Sequence, residues 1–274
     1  MIQVTAEIAA DRCLEVLAHH PSGLFSDFDG ALSVIAATPD AARPYPGASE
    51  AIARLKNLVD QFSIVTGRAA SDAMAMIGVP EIRVIGNHGL ETIYRGTHTA
   101  HPVGIAAKAS VEVAMAEISA GISGLTDPTG MIFENKVYSA SIHYRNTPAP
   151  DVIESYLKPL VLRIAEQHDL RITSGKMLFE LRPQAVINKG TALDSVITEF
   201  SMGGAIFIGD DVTDVDGFDT LHRLRAERSI ATLAIGVMSF ETPQSVIDKS
   251  DVLLSGVEDT VQMLTLLADR LEGK

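Results

Sequence analysis

The sequence predicts an α/β fold: a doubly wound core built on a parallel sheet, interrupted by a smaller α+β insertion. Three observations carry this. First, six short apolar runs each end in small or polar residues: GLFSDFDG (23–30), FSIVTGR (62–68), IRVIGNHG (82–89), AIFIGDD (205–211), ATLAIGV (231–237) and DVLLSG (251–256). Runs this short and continuous fit strands buried on both faces, as parallel strands are. Second, stretches of helical spacing lie between several of them, so strand and helix alternate as in doubly wound domains. Third, the middle of the chain changes rhythm, with a helix, two strands, a second helix and two more strands.

Taken in order, AEIAADRCLEVLAHH (6–20) reads as an amphipathic helix before the first strand. ASEAIARLKNLVD (48–60) is a helix between the first two apolar runs, and a loop follows Tyr94. In the middle segment IAAKASVEVAMAEISAG (105–121) is helical, MIFENK (131–136) is a strand, and YSASIHYRN (138–146) alternates as a half-buried antiparallel strand does. DVIESYLKPLVLRIAEQHD (151–169) is a second helix, and LRITSG with KMLFELRP form a hairpin around Ser174-Gly175. TALDSVITEF (191–200) and GFDTLHRLR (217–225) return to the core rhythm. The expected division is a core of residues 1–99 and 186–274 and an insertion of residues 100–185.

With 274 residues and 46% hydrophobic side chains, the chain is long enough for a sizeable core. The net charge of −13 argues against a nucleic-acid partner, whose phosphates need a basic surface. One cysteine, Cys13, rules out an internal disulfide and reads as a small buried apolar residue. The first residues carry acidic side chains and no signal-type apolar stretch, and no run approaches the ~18 apolar residues that cross a bilayer. A cytoplasmic protein without membrane contact is expected, and oligomeric state is not legible.

In open α/β sheets, ligands bind beyond the carboxyl ends of the strands, and the chemistry-bearing residues fall there. Asp27-Phe28-Asp29-Gly30 places two carboxylates at the mouth of an apolar strand, where they repel each other and resist desolvation. A cation resolves that conflict, and Mg²⁺ prefers such oxygen ligands. Taken alone, the motif could be an acidic turn. That reading is harder to sustain when Gly209-Asp210-Asp211-Val212-Thr213-Asp214 brings more carboxylates to another strand end. Asp210 is placed as a metal ligand, while Asp211 and Asp214 hold metal-bound waters or orient Lys189. Thr66-Gly67-Arg68 offers a hydroxyl and backbone N–H groups to an anion at a helix start. Lys189-Gly190-Thr191 sets an ammonium beside another helix start.

These four elements in this order resemble the haloacid dehalogenase-like phosphatases, whose core is Rossmann-like. SDFDGAL, VTGR, GNHGLE, ENKVYSASIHYRN, FELRP, NKG and IGDDVTDVDGF together look like the trehalose-6-phosphate phosphatase family, over about Leu24 to Leu267. The resemblance implies a Mg²⁺-dependent phosphatase acting on a small-molecule sugar phosphate through an aspartyl phosphate. It makes Asp27 the nucleophile and Asp29 the general acid and base. Thr66, Arg68 and Lys189 would hold the phosphoryl group. Mg²⁺ would be held by Asp27, the backbone carbonyl of Asp29, and Asp210, with Asp214 in support. His88 would lie near phosphate and sugar, and the insertion becomes a mobile cap. Its Glu134, Lys136, Lys176 and Glu180 are the candidates for sugar hydroxyls, each otherwise a surface charge; His143 and Arg145 are similar candidates.

Two positions depart from the family pattern: Ala31 stands where Thr is usual, and Val215 where Glu is usual. Sucrose phosphate and glucosyl-glycerol phosphate are rival substrates, and a weakly active sugar-phosphate-binding regulator is a rival of another class.

Overall fold

The computed structural model describes residues 2–125, 127–175 and 177–274. The chain divides into two compact units, Met1–Thr99 with Ile187–Lys274 and, inserted between these, Ala100–Val186.

The first unit begins with β1 (Ile2–Gln3), α1 (Ala6–Leu17), β2 (Ser22–Ser26), α2 (Ala48–Leu55), β3 (Gln61–Val65), α3 (Ala70–Ile77) and β4 (Arg83–Gly86). A hairpin of β5 (Glu91–Tyr94) and β6 (Thr97–Ala100) follows. The insertion contributes α4 (Pro102–Gly121), β7 (Ile132–Asn135), β8 (Ala140–His143), α5 (Pro150–Gln167), β9 (Leu170–Gly175) and β10 (Leu178–Pro183). The chain returns through α6 (Lys189–Glu199), β11 (Gly204–Gly209), α7 (Val212–Arg228), β12 (Ala231–Val237), α8 (Gln244–Lys249), β13 (Val252–Leu254) and α9 (Val257–Leu271).

Strand order in the large sheet is β1-β13-β12-β11-β2-β3-β4-β5-β6. It is parallel from β1 to β4, and β5 runs antiparallel to β4. Both faces are covered, which is why the strands read as continuous apolar runs. Leu24, Ile64, Ile206 and Ile208 point into one cluster with α1, α2, α3 and α9. Their neighbours Phe25, Val65, Ala205 and Phe207 point into the other, with α6 and α7. The chain leaves central β2 toward β3 and later returns on its other side as β11, so β2 lies at a switch point of the topology. Cys13 is fully buried in the first cluster, and burial pushes its thiol up to about 12.

The loop expected after Tyr94 is instead the β5–β6 hairpin. It turns on Arg95 and Gly96 at φ 49 and 75°, the left-handed pair of a two-residue hairpin turn. Arginine is not a usual residue for that turn, so the sequence hides it.

In the second unit, β7-β8-β10-β9 form an antiparallel sheet. Ala140, Ile142, Phe179 and Leu181 pack against Val111, Ile118, Leu157 and Val161 of α4 and α5. The alternate positions Glu134, Ser141, Glu180 and Thr173 stand in register in one row on the other face. β9 runs through Gly175, which pairs with Leu178 of β10, and Met177 lies at φ 58°.

Among the described residues, no helix is long and apolar enough to cross a membrane.

Candidate active site

The site of the first unit is built where four neighbouring strands end. Asp27 continues the ladder of β2 by one residue, its N–H donating to the Ile208 carbonyl of β11 at 2.8 Å. Its side chain is buried. Oδ1 accepts the Phe28 N–H at 2.7 Å, and Oδ2 lies 2.8 Å from Lys189 Nζ. Lys189 is the first residue of α6, held by the reciprocal capping of Asn188 and Thr191. Although its side chain is 2% exposed, its ammonium is matched: Nζ also donates to Asp214 Oδ1 at 2.7 Å. The second oxygen of Asp214 accepts the N–H groups of Asp210 and Asp211 at 3.1 and 3.0 Å. Asp214 therefore ties the lysine to the loop after β11.

Burial, and then the charges of Asp214, Asp210 and Asp29, push the Asp27 carboxyl well above the usual carboxylate range, with Lys189 pulling the other way. Burial would strip the Lys189 proton, but Asp214 and Asp27 outweigh it and hold the ammonium charged.

Gly30 closes the turn after β2 at φ 80°, and a Cβ there would overlap the carboxylate of Asp210. The two acidic motifs, about 180 residues apart in sequence, thus meet at a glycine. Oxygens of Asp27, Asp210 and Asp214 all lie within 4.8 Å of one another. Three carboxylates gather here, and the one buried ammonium, Lys189, pairs with two of them, Asp27 and Asp214, so the site is a cluster of hard oxygen donors. That set fits a divalent cation such as Mg²⁺. Asp214 already receives three N–H bonds, which commit both of its oxygens to Lys189 and to the loop after β11.

Asp29 points its carboxylate at Arg68. Nε donates to Oδ2 at 2.7 Å and Nη2 to Oδ1 at 2.8 Å, while Nη1 donates to the Pro39 carbonyl at 2.9 Å. Arg68, expected to hold phosphate, thus clamps Asp29 in a two-point fork. Thr66 is buried, and its hydroxyl accepts the Arg68 N–H at 3.2 Å. His88 is 6% exposed, in a left-handed turn at φ 55°, with its ring against Gly67.

All the residues expected of the core thus converge: Asp27, Asp29, Thr66, Arg68, His88, Lys189, Asp210 and Asp214. In the insertion, Lys136 Nζ donates to Glu180 Oε1 at 2.9 Å, and Glu134 Oε2 lies 4.0 Å from that ammonium and 2.9 Å from His143 Nε2. Glu134, Lys136, His143 and Glu180 form one polar group, with Thr173 donating to Glu180 Oε2 at 3.4 Å. Arg145 is half-buried beyond the end of β8, and Lys176 lies outside the described residues. Of the two departures, Ala31 is fully buried in the first cluster, and Val215 packs on the second.

Sequence reasoning overlooked Glu91 and Asn87. Both are buried, and Asn87 Nδ2 donates to Glu91 Oε1. They stand inside GNHGLE, four residues apart, but only the reversal from β4 into β5 brings them together.

The trehalose-phosphatase family model matches residues 25–251, most of the chain. The chain belongs to the trehalose-phosphatase family. It is 35% identical over 210 residues to the trehalose-phosphate phosphatase of Mycobacterium avium, covering 74% of this chain and 52% of that protein. It spans about half the length of the curated relatives it matches. The fold matches the C-terminal domain of a C. albicans trehalose-6-phosphate phosphatase with a TM-score of 0.76, at 19% identity over 97% of each chain. It also matches a trehalose-6-phosphate phosphatase related protein with a TM-score of 0.74, at 24% identity, over 92% of this chain and all of that one. The fold is also similar to that of a haloacid dehalogenase-like hydrolase from Bacteroides thetaiotaomicron, with a TM-score of 0.61 at 13% identity over 92% of this chain.

Proposed function

We propose that the protein is a phosphatase that hydrolyses trehalose 6-phosphate to trehalose and phosphate through an aspartyl phosphate on Asp27. Family membership supports the substrate class. The observation that carries the chemistry is the buried Asp27 carboxylate, anchored by Lys189 and the Phe28 N–H beside Asp210. In this reading, Met1–Thr99 with Ile187–Lys274 is the catalytic core, and Ala100–Val186 is the cap that reads the sugar.

An Asp27 oxygen attacks phosphorus as the bond to the sugar oxygen breaks, and Asp29 gives that oxygen its proton. A sugar alkoxide is a poor leaving group, so this help is worth ~10²–10⁴-fold. Water then yields a proton to Asp29 and attacks phosphorus, releasing phosphate and restoring Asp27. With Arg68 on both of its oxygens Asp29 is ionised, the form left after it has given its proton; to act as acid it first opens one bond of the fork and takes a proton from water at that oxygen. Lys189 and the Thr66 hydroxyl offset charge on the phosphoryl oxygens. Asp27, Asp210 and the Asp29 carbonyl would hold Mg²⁺, which supplies charge neutralisation for an anionic substrate approaching an anionic nucleophile. Asp214 keeps Lys189 in place.

The test is phosphate release from a panel of sugar phosphates with Mg²⁺ present. Trehalose 6-phosphate should be turned over fastest. Preference for sucrose phosphate or glucosyl-glycerol phosphate would overturn the substrate, and no release from any would overturn the enzyme reading.

A further inference from the structure

The Asp29–Arg68 fork has a support of its own on the far side of Arg68. The Arg68 carbonyl accepts the Asn87 N–H at 2.7 Å, and the Thr66 carbonyl accepts the His88 N–H at 2.9 Å. The turn after β4 is thereby stitched to the loop after β3. That turn is held in an unfavourable shape, because Asn87 and His88 both lie in the left-handed region, at φ 50 and 55°. Asparagine tolerates this; histidine at such an angle persists only where its surroundings enforce it.

Glu91, the first residue of β5 and 6% exposed, braces this turn through Asn87. Its Oε1 accepts from Asn87 Nδ2 and from the Ala70 N–H at 2.9 Å, and its Oε2 lies 2.7 Å from His98 Nε2. Ala70 opens α3, whose own cap position, Ala69, has no side chain to serve its first N–H groups. One carboxylate thus closes the start of α3, the left-handed turn and the β5–β6 hairpin around the Thr66–Arg68 loop. A buried carboxylate receiving several N–H bonds is a strong, directional anchor.

We infer that Glu91, acting through Asn87, is a positioning residue for Arg68 and so for the proton transfer at Asp29. The inference rests on the reading of Asp29 as general acid. It goes beyond structural support because it predicts where the loss will fall. A displaced Arg68 leaves Asp27 and Lys189 intact, so transfer from a phosphate with a good leaving group continues. Transfer from a sugar phosphate, which needs the proton, slows.

The test compares kcat/KM for trehalose 6-phosphate and for p-nitrophenyl phosphate in the full chain carrying Glu91→Ala, Glu91→Gln, Asn87→Gly or Asp29→Asn. Asn87→Gly accepts φ 50° freely and keeps the backbone bond to Arg68, so it removes only the amide arm without threatening the turn. Glu91→Ala and Asn87→Gly should lose about ten- to a hundredfold on the sugar phosphate and less than about threefold on the aryl ester. Glu91→Gln, whose amide oxygen still accepts both N–H bonds, should restore most of the sugar-phosphate rate. Equal losses on both substrates in Asn87→Gly, or no loss on either, would overturn the inference while leaving the general-acid reading in place, provided Asp29→Asn is selective. If Asp29→Asn loses both substrates equally, the reading of Asp29 fails, and this inference falls with it.

Discussion

Gly30 and Asp210 occupy adjoining space so closely that the Cβ of any other residue at position 30 would overlap the Asp210 carboxylate. Gly30→Ala therefore meets two penalties, ~1–2 kcal/mol for a left-handed alanine and the displacement of a carboxylate we assign to the metal. We expect a fall in kcat/KM of more than about a hundredfold, far beyond what the lost stability explains. Kinetics at saturating Mg²⁺ beside thermal unfolding will separate the two, and a wild-type rate would show that the loop tolerates the displacement.

Lys189 is the buried counter-charge for Asp27 and Asp214. Lys189→Met keeps the bulk but leaves two buried carboxylates facing each other, a loss of about 3–5 kcal/mol. Denaturant unfolding should show it, and turnover should fall to background. Unchanged stability would mean that the carboxylates are already neutralised some other way.

Mg²⁺ binding can be read without turnover. At a hundred times its dissociation constant, Mg²⁺ should stabilise the protein by about 2.7 kcal/mol, and Asp210→Asn should abolish most of that gain. Ca²⁺, with its larger and looser shell, should support catalysis poorly. Excess chelator should silence the enzyme, and full activity in chelator would remove the metal from the account.

The polar row of the insertion predicts a split between substrates. Lys136→Ala and Glu180→Gln should each weaken kcat/KM for trehalose 6-phosphate by roughly five- to a hundredfold, the worth of about 1–3 kcal/mol in lost hydrogen bonding. An aryl phosphate, which has no sugar hydroxyls to read, should be affected little. Equal losses on both would make Lys136 and Glu180 structural, a buried ion pair that holds β10 to the β7–β8 turn.

The gathering of the candidate core residues was legible because they lie where continuous apolar runs stop. Asp27, Thr66 and Asp210 each follow a strand buried on both faces, and sequence alone places such residues at one edge of a parallel sheet. Lys189 was legible as a helix start, though its burial between two aspartates was not. The partner of Arg68 could not be read, because a guanidinium beside a phosphate-type loop suits phosphate as well as a carboxylate some forty residues earlier. Glu91 escaped for a related reason. Its role depends on β5 turning back against β4, and the Arg95-Gly96 turn that makes the hairpin carries no strong local signal. In the insertion, alternation along YSASIHYRN revealed the strand and its outward face, but not that Lys136 and Glu180 would pair across it.

The central claim is that Asp27 itself carries the phosphoryl group. It is tested most directly by mixing enzyme with radiophosphate-labelled trehalose 6-phosphate, quenching in acid within one turnover, and reducing the protein with borohydride before peptide mapping. The account predicts label on the protein and conversion of residue 27 to homoserine, both absent from a folded Asp27→Asn variant that releases no phosphate. Substantial phosphate release by that variant, or homoserine mapped to an aspartate other than residue 27, would contradict it.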